Sequence, residues 1–248
     1  MRILDFNFLL FIIKIEKYYL HYTIYELILE SYILNNETFS LHEGINMRKT
    51  EIWKKAIDTW DNESKTIRCL SETIDKRNFI KCVEIIKNCK GKIITTGLGT
   101  SAAAARKISH SLSCIERPSF FLSCGDAVHG GLGSVQSDDV AILISKGGNT
   151  REIINIIPAL KIKKVYIIGV TENEDSTLAQ NCDLLIKVKI KKEADNFNML
   201  ATSSTLAVIS VFDAICIILM SWMNYTKEQF TIIHPEGAVG ERLLKQLN

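Results

Sequence analysis

The composition has few extremes, and each shortfall excludes something. Thirty basic residues stand against 28 acidic ones, a net charge of +2. That balance is too small for a protein that wraps nucleic acid through phosphate contacts. With 47% hydrophobic and 23% charged residues, the chain is neither a disordered tail nor collagen-like. No two of the seven cysteines, at positions 69, 82, 89, 114, 124, 182 and 216, are spaced CxxC. An odd count without metal spacing argues against a disulfide framework or a zinc site and predicts free thiols in a reducing cytoplasm. Neither the complete dinucleotide fingerprint GxGxxG nor the P-loop spacing GxxxxGK[ST] is present. The 248 residues allow one large α/β domain or two small ones and need no staple.

The first 46 residues differ from the rest. They hold nine of the twenty aromatics but one of the thirteen glycines. FNFLLFII ends at Lys14, Glu16 and Lys17, and YYLHYTIY at Glu26. Both fall short of the ~20 apolar residues of a spanning helix. A secretory signal fits poorly, because Asp5 interrupts its start and no small-residue cleavage site follows. An amphipathic docking helix is one reading. The preferred one is that translation begins at Met47, before the helix start RKTEIWKKAIDTW, with 1–46 an extension outside the native protein. Intact-mass measurement of the native protein checks this.

From Met47 onward, strand and helix patterns alternate. Residues 50–75 and 77–90 carry helical spacing. KIITTG (92–97), SFFLS (119–123), DVAILIS (139–145), KVYIIGVT (164–171) and DLLIKVKI (183–190) read as strands. Helices follow at 101–114, 151–161 and 176–182, the last with Ser176 as N-cap. A long helix spans 203–223 and another starts near Ala238. Strands apolar along their whole length are buried on both faces, which predicts a parallel sheet with crossover helices, a three-layer αβα sandwich. The run 203–220 is apolar enough to suggest a membrane span. Ser203, Ser204, Thr205, Ser210 and Asp213 instead point to the core helix of a soluble domain.

In such a sheet, ligands bind beyond the carboxyl ends of the strands. Three segments there are rich in glycine or hydroxyls. In GLGTS (97–101), Gly97 and Gly99 let the backbone approach an anion, while Thr100 and Ser101 offer hydroxyls at a helix N-terminus. SKGGNT (145–150) supplies Ser145, Lys146, Gly147, Gly148, Asn149 and Thr150 as a second anion nest. ATSST (201–205) adds Thr202, Ser203, Ser204 and Thr205. Each alone is also an ordinary turn or cap; two anion loops on neighbouring strand ends argue for a site. No acidic residue ends the second strand to hold a ribose, which argues against a nicotinamide cofactor.

Titratable candidates near this cradle are Glu152, Glu193, His129 and His234. Singly, each has a bland explanation. An isolated histidine is usually structural, Glu152 suits a helix N-terminus, and Glu193 sits in the charged stretch KIKKEAD.

Together these residues resemble the sugar isomerase (SIS) domain family, and within it the bacterial D-arabinose 5-phosphate isomerases. The likeness rests on the order of GLGTSAAAARK (97–107), PSFFLSCGDAVHGGLG (118–133), DVAILISKGGNTREI (139–153), IIPALK (156–161), EAD (193–195), ATSST with Asp213, and HPEGAVGERL (234–243). It covers nearly all of 47–248. The resemblance implies a five-stranded parallel sheet and a sugar phosphate held by Ser101 and the SKGGNT loop. It implies cofactor-free, metal-free interconversion of D-ribulose 5-phosphate and D-arabinose 5-phosphate. The family's active-site positions fall on Glu152, Glu193, His129 and His234. It further implies a cytoplasmic homotetramer with sites at subunit contacts and no membrane or nucleic-acid partner. Many members add paired CBS domains, which are not seen here.

Some positions depart from the family pattern. The first-loop Lys of G-x-G-K-S is Thr100, and Lys146 is the available replacement cation. The second serine of S-x-S-G is Gly147, the acidic residue of H-G-D-L-G is Gly131, E-A-C-P-L reads EADNF, and H-P-G-G reads HPEG. These changes keep two alternatives open: another SIS isomerase, such as a hexulose-phosphate type, and a phosphosugar-binding protein without turnover.

Overall fold

The computed structural model describes residues 47–235. The readings for 1–46 and for the helix near Ala238 lie outside them. The elements in order are α1 (Lys49–Arg68), α2 (Leu70–Thr73), α3 (Lys76–Asn88), β1 (Ile93–Gly97), α4 (Thr100–Ser113), β2 (Ser119–Phe121) and α5 (Cys124–Val128). A 3₁₀ turn (Gly131–Ser134) follows. Then come β3 (Val140–Ile144), α6 (Arg151–Ile162), β4 (Tyr166–Thr171), α7 (Thr177–Asn181), β5 (Leu184–Lys187), α8 (Ser203–Trp222) and α9 (Lys227–Ile233).

The five strands pair in parallel in the order β2-β1-β3-β4-β5. Strand periodicity explains why they are apolar throughout. Ile93, Val140, Ile142, Ile144, Ile168 and Val170 face one core with α3, α4 and α8. Their alternates Ile94, Ala141, Leu143 and Ile167 face a second core with α5, α6 and α7. The layers are therefore helix, sheet, helix, as expected. The reading of every strand as doubly buried fails at the edges. β2 is half-buried along its three residues, and β5 alternates, because an edge strand has a neighbour on one side only.

Ser176 caps α7 by accepting from Ala179 N–H at 3.3 Å. The leading helix breaks at Cys69 rather than running to residue 75. α5 was not anticipated: CGDAV is too short for a period, and its cap, Ser123, accepts from Asp126 N–H at 3.5 Å. All seven cysteines are free. α8 is long and apolar enough to cross a bilayer by composition alone. Its Ala207, Val211, Phe212, Ile215 and Leu219 nevertheless pack in the core against the sheet, as in a soluble fold.

Candidate active site

The order β2-β1-β3 reverses the chain's direction of travel between β1 and β3, so their carboxyl ends form the topological switch point. Gly97, ending β1, is in register with Ile144, ending β3, and the two glycine loops leave the sheet side by side. The site lies wholly in the compact unit that begins at Trp53.

Each loop opens a helix whose first amides are unspent. Gly99, at φ +56, is the N-cap of α4 and offers no side chain to it. Among the described residues, Thr100 and Ser101 N–H have no acceptor. Thr150 is the N-cap of α6, but its hydroxyl pairs with Ser145 Oγ at 2.7 Å instead of capping, which leaves Arg151 and Glu152 N–H without an acceptor among the described residues. Two uncapped, positively polarised helix ends at one switch point form an anion cradle.

The second loop is held rigid from below. Gly148 N–H donates to Ser145 O and Oγ, both at 3.1 Å. Lys146 O accepts from Thr171 Oγ1 at 2.7 Å and from Glu172 N–H at 3.0 Å. Asn149 Oδ1 accepts from Thr177 N–H at 2.9 Å, which ties the loop to α7 and leaves the Nδ2 donors without a partner among the described residues.

A small cleft, open to solvent, is lined by Thr100, Ser101, Lys146, Glu172, Ser204 and Thr205 over an apolar floor that includes Ile144 and Val170. The first, second and third loops therefore meet. Glu172 was missed by sequence reasoning, although its position just after β4 follows the same strand-end rule.

The third loop is not a row of free hydroxyls. Ser203 is fully buried, and its Oγ accepts from Asn62 Nδ2 at 2.8 Å, away from the cleft. Thr202 Oγ1 accepts from Ala194 N–H at 3.2 Å. Ser204 Oγ donates to Glu193 Oε1. Glu193, fully buried, also accepts from Lys146 Nζ at 2.7 Å and from Thr202 and Ser204 N–H, each at 3.1 Å. Burial pushes its carboxyl up, but Lys146, the Ser204 hydroxyl and the two amides outweigh this and hold it below the usual carboxylate range.

Glu152 differs in every respect. It sits exposed on the first turn of α6 and has no side-chain partner among the described residues. Its charge reaches Cys124, the thiol that shares a hydrogen bond with Thr96 Oγ1 at 3.1 Å beneath the first loop. Burial pushes that thiol up, and the Glu152 charge adds to the rise. His129 is exposed at the C-terminus of α5, in the layer that contains α6.

His234 is elsewhere. α8 starts at the cleft and runs ~30 Å to the far end of the layer. There Tyr225 OH donates to Cys114 O at 3.3 Å, and Gln229 Nε2 to Glu116 at 2.9 Å. α9 rises only ~10 Å from that end. His234 caps it, stacked on Phe230 at 3.9 Å. One chain therefore does not bring His234 to its own cleft.

Fold and site define a class: an open parallel α/β domain with an anion cradle at its switch point. The SIS domain model matches residues 85–218, and the chain belongs to the SIS domain family. It is similar to the Escherichia coli CFT073 arabinose 5-phosphate isomerase KpsF, with 35% identity over 76% of this chain and 58% of that protein. It thus spans about three fifths of that curated relative. Among solved structures, a Listeria monocytogenes sugar-phosphate isomerase shares 52% identity, with a TM-score of 0.75 over 76% of this chain and 99% of that one. An Escherichia coli CFT073 protein in complex with arabinose 5-phosphate shares 34%, with a TM-score of 0.74 over 76% and 100%.

Proposed function

We propose that this protein is an aldose–ketose isomerase of a phosphorylated sugar, interconverting D-arabinose 5-phosphate and D-ribulose 5-phosphate through an enediol. The observation that carries the reading is the pair of uncapped helix ends at the switch point, with an unpartnered carboxylate on the first turn of one of them. The named relatives, one of them crystallised with that sugar phosphate, support the choice of substrate.

In this reading the phosphate rests on the α4 and α6 amides, with Ser101, Thr100, Ser145, Thr150 and Lys146 around it. The open-chain aldose presents C2–H to Glu152. The carboxylate takes that proton while O1 gains one, giving a cis-enediol. Loss of the O2 proton and return of a proton to C1 complete the ketose. His129 and His234 carry protons for ring opening and for the hydroxyls.

His234 acts in this scheme from a second copy of the chain, in a homotetramer with clefts at subunit contacts. Its distance from its own cleft supports this. So do the exposed apolar residues Trp53, Ile57 and Trp60 on α1, the tryptophans meeting edge-on at 5.6 Å, and Ile217 and Trp222 on α8. A mixed oligomer tests it. Glu152→Gln and His234→Ala chains, each inactive alone, should regain about a quarter of the wild-type sites when co-assembled, because a cleft then draws one intact residue from each copy. No recovery would place both residues in one chain.

The reaction is tested by proton NMR in deuterated water with both sugars. The expected result is deuterium entering the carbon next to the carbonyl while the two sugars interconvert. Binding without exchange would favour a sensor or a different sugar phosphate, a reading that Thr100, in place of a first-loop lysine, supports.

A further inference from the structure

Glu193 falls on a catalytic position of the family pattern, yet its environment is not that of a proton-transfer base. A base needs a lone pair open to the substrate. Glu193 is fully buried, and five donors converge on a carboxylate with about four acceptor sites. Lys146 Nζ and Ser204 Oγ meet Oε1. Thr202 N–H, Thr202 Oγ1 (3.4 Å) and Ser204 N–H meet Oε2. Its own N–H donates to Asn198 Oδ1 at 2.6 Å, which fixes the loop that carries it.

Two structural tasks follow from these contacts. Thr202, the nominal N-cap of α8, makes no capping bond, so the Glu193 carboxylate serves as the cap of that twenty-residue helix. The same carboxylate holds Lys146 against the cleft wall. Lys146 is the one basic side chain among the described residues lining the cleft, and it remains 38% exposed. A flexible four-carbon stem is thereby aimed at the cradle before any anion arrives, which lowers the ordering cost of binding.

We propose that Glu193 is a positioning residue: it anchors Lys146 as the cleft's resident cation, sets the affinity for the substrate's phosphate, and exchanges no proton with the sugar. Because its donors keep the carboxyl ionised across the neutral range, the pair persists wherever the enzyme works. The proposal rests on the isomerase reading for its turnover readout alone; phosphate binding tests it independently.

The experiment uses the full chain, titrated calorimetrically with inorganic phosphate and assayed with arabinose 5-phosphate. Lys146→Met and Glu193→Gln should each weaken phosphate by about tenfold or more, the range of a charge-assisted hydrogen bond. Lys146→Arg should stay within about threefold of wild type, since it keeps the charge. The double variant Lys146→Met/Glu193→Gln should be no weaker than Lys146→Met, because both act through one cation. On the sugar, Glu193→Gln should raise KM while kcat stays within about tenfold. Its pH profile should keep the wild-type limbs. Loss of exchange in Glu193→Gln at unchanged phosphate affinity would make Glu193 the base and overturn the proposal. So would wild-type phosphate affinity in Lys146→Met, which decides the matter by itself should Glu193→Gln fail to fold. If no sugar turns over in the wild type, the isomerase reading falls while the phosphate arm still stands or fails on its own.

Discussion

Glu152→Gln should lower proton exchange at the sugar's C2 by about a thousandfold, the middle of the range for loss of a general base. It should leave the fold and phosphate binding in place. The side chain is exposed and has no partner among the described residues, so the amide replaces the carboxylate without stranding any buried donor there. The structural cost is the favourable meeting of a negative charge with the N-terminus of α6, less than about 1 kcal/mol at an exposed position. Removing a negative charge beside the cradle should, if anything, tighten phosphate. Glutamine keeps the shape and hydrogen-bonding reach of glutamate, so an intact kcat would mean that the proton goes elsewhere. The contrast with Glu193 makes the pair of variants diagnostic. One carboxylate is free to accept a proton, and the other is saturated by five donors. NMR exchange together with phosphate calorimetry on both variants separates a loss of chemistry from a loss of grip.

That contrast was not visible in the sequence, and the reason is physical. Strand and helix periods, the glycines after β1 and β3, and Ser176 as a cap are local signals. Each depends on neighbours within a few residues, so the parallel sheet, its layers and the two glycine loops at the strand ends could be read directly. The fate of a polar side chain depends on partners far along the chain. Ser203 looked like one more hydroxyl for the phosphate, but it is paired with Asn62, 141 positions away. Glu193 looked like a base in a charged loop, and its decisive partner, Lys146, is 47 positions away. His234 sat in a matching motif, yet the length of α8 carries it away from the cleft of its own chain. The position of Glu172 was deducible from the strand-end rule, since it directly follows β4.

Gly148→Ala should be among the most damaging single substitutions at the site, lowering stability by roughly 2–4 kcal/mol, with the anion loop displaced. Two costs combine. At φ +71 an L side chain is strained by about 1–2 kcal/mol. An added Cβ would also fall on Ser176 Oγ, 2.5 Å from Ser176 Cβ and 2.9 Å from Thr171 Oγ1. Neither neighbour can yield cheaply. Ser176 caps α7 and donates to Asn173 O at 2.7 Å, and Thr171 holds Lys146 O. In a chain of this size the loss corresponds to a fall in melting temperature of about 5–15 °C. The two costs can be separated. Ser176→Ala should not rescue Gly148→Ala, because its Cβ remains in the way. Ser176→Gly clears that contact and should restore part of the steric cost, leaving the 2.9 Å approach to Thr171 Oγ1 and the backbone strain. Glycine costs only a few tenths of a kcal/mol as a replacement cap, so the rescue should be visible in thermal melts. Gly147→Ala is the control: a Cβ there meets nothing within 4 Å, and its stability should match wild type. A Gly148→Ala protein as stable as wild type, or one rescued equally by Ser176→Ala, would mean that the second loop yields freely. The preorganised cradle invoked for the proposed phosphate binding would then be lost as an explanation.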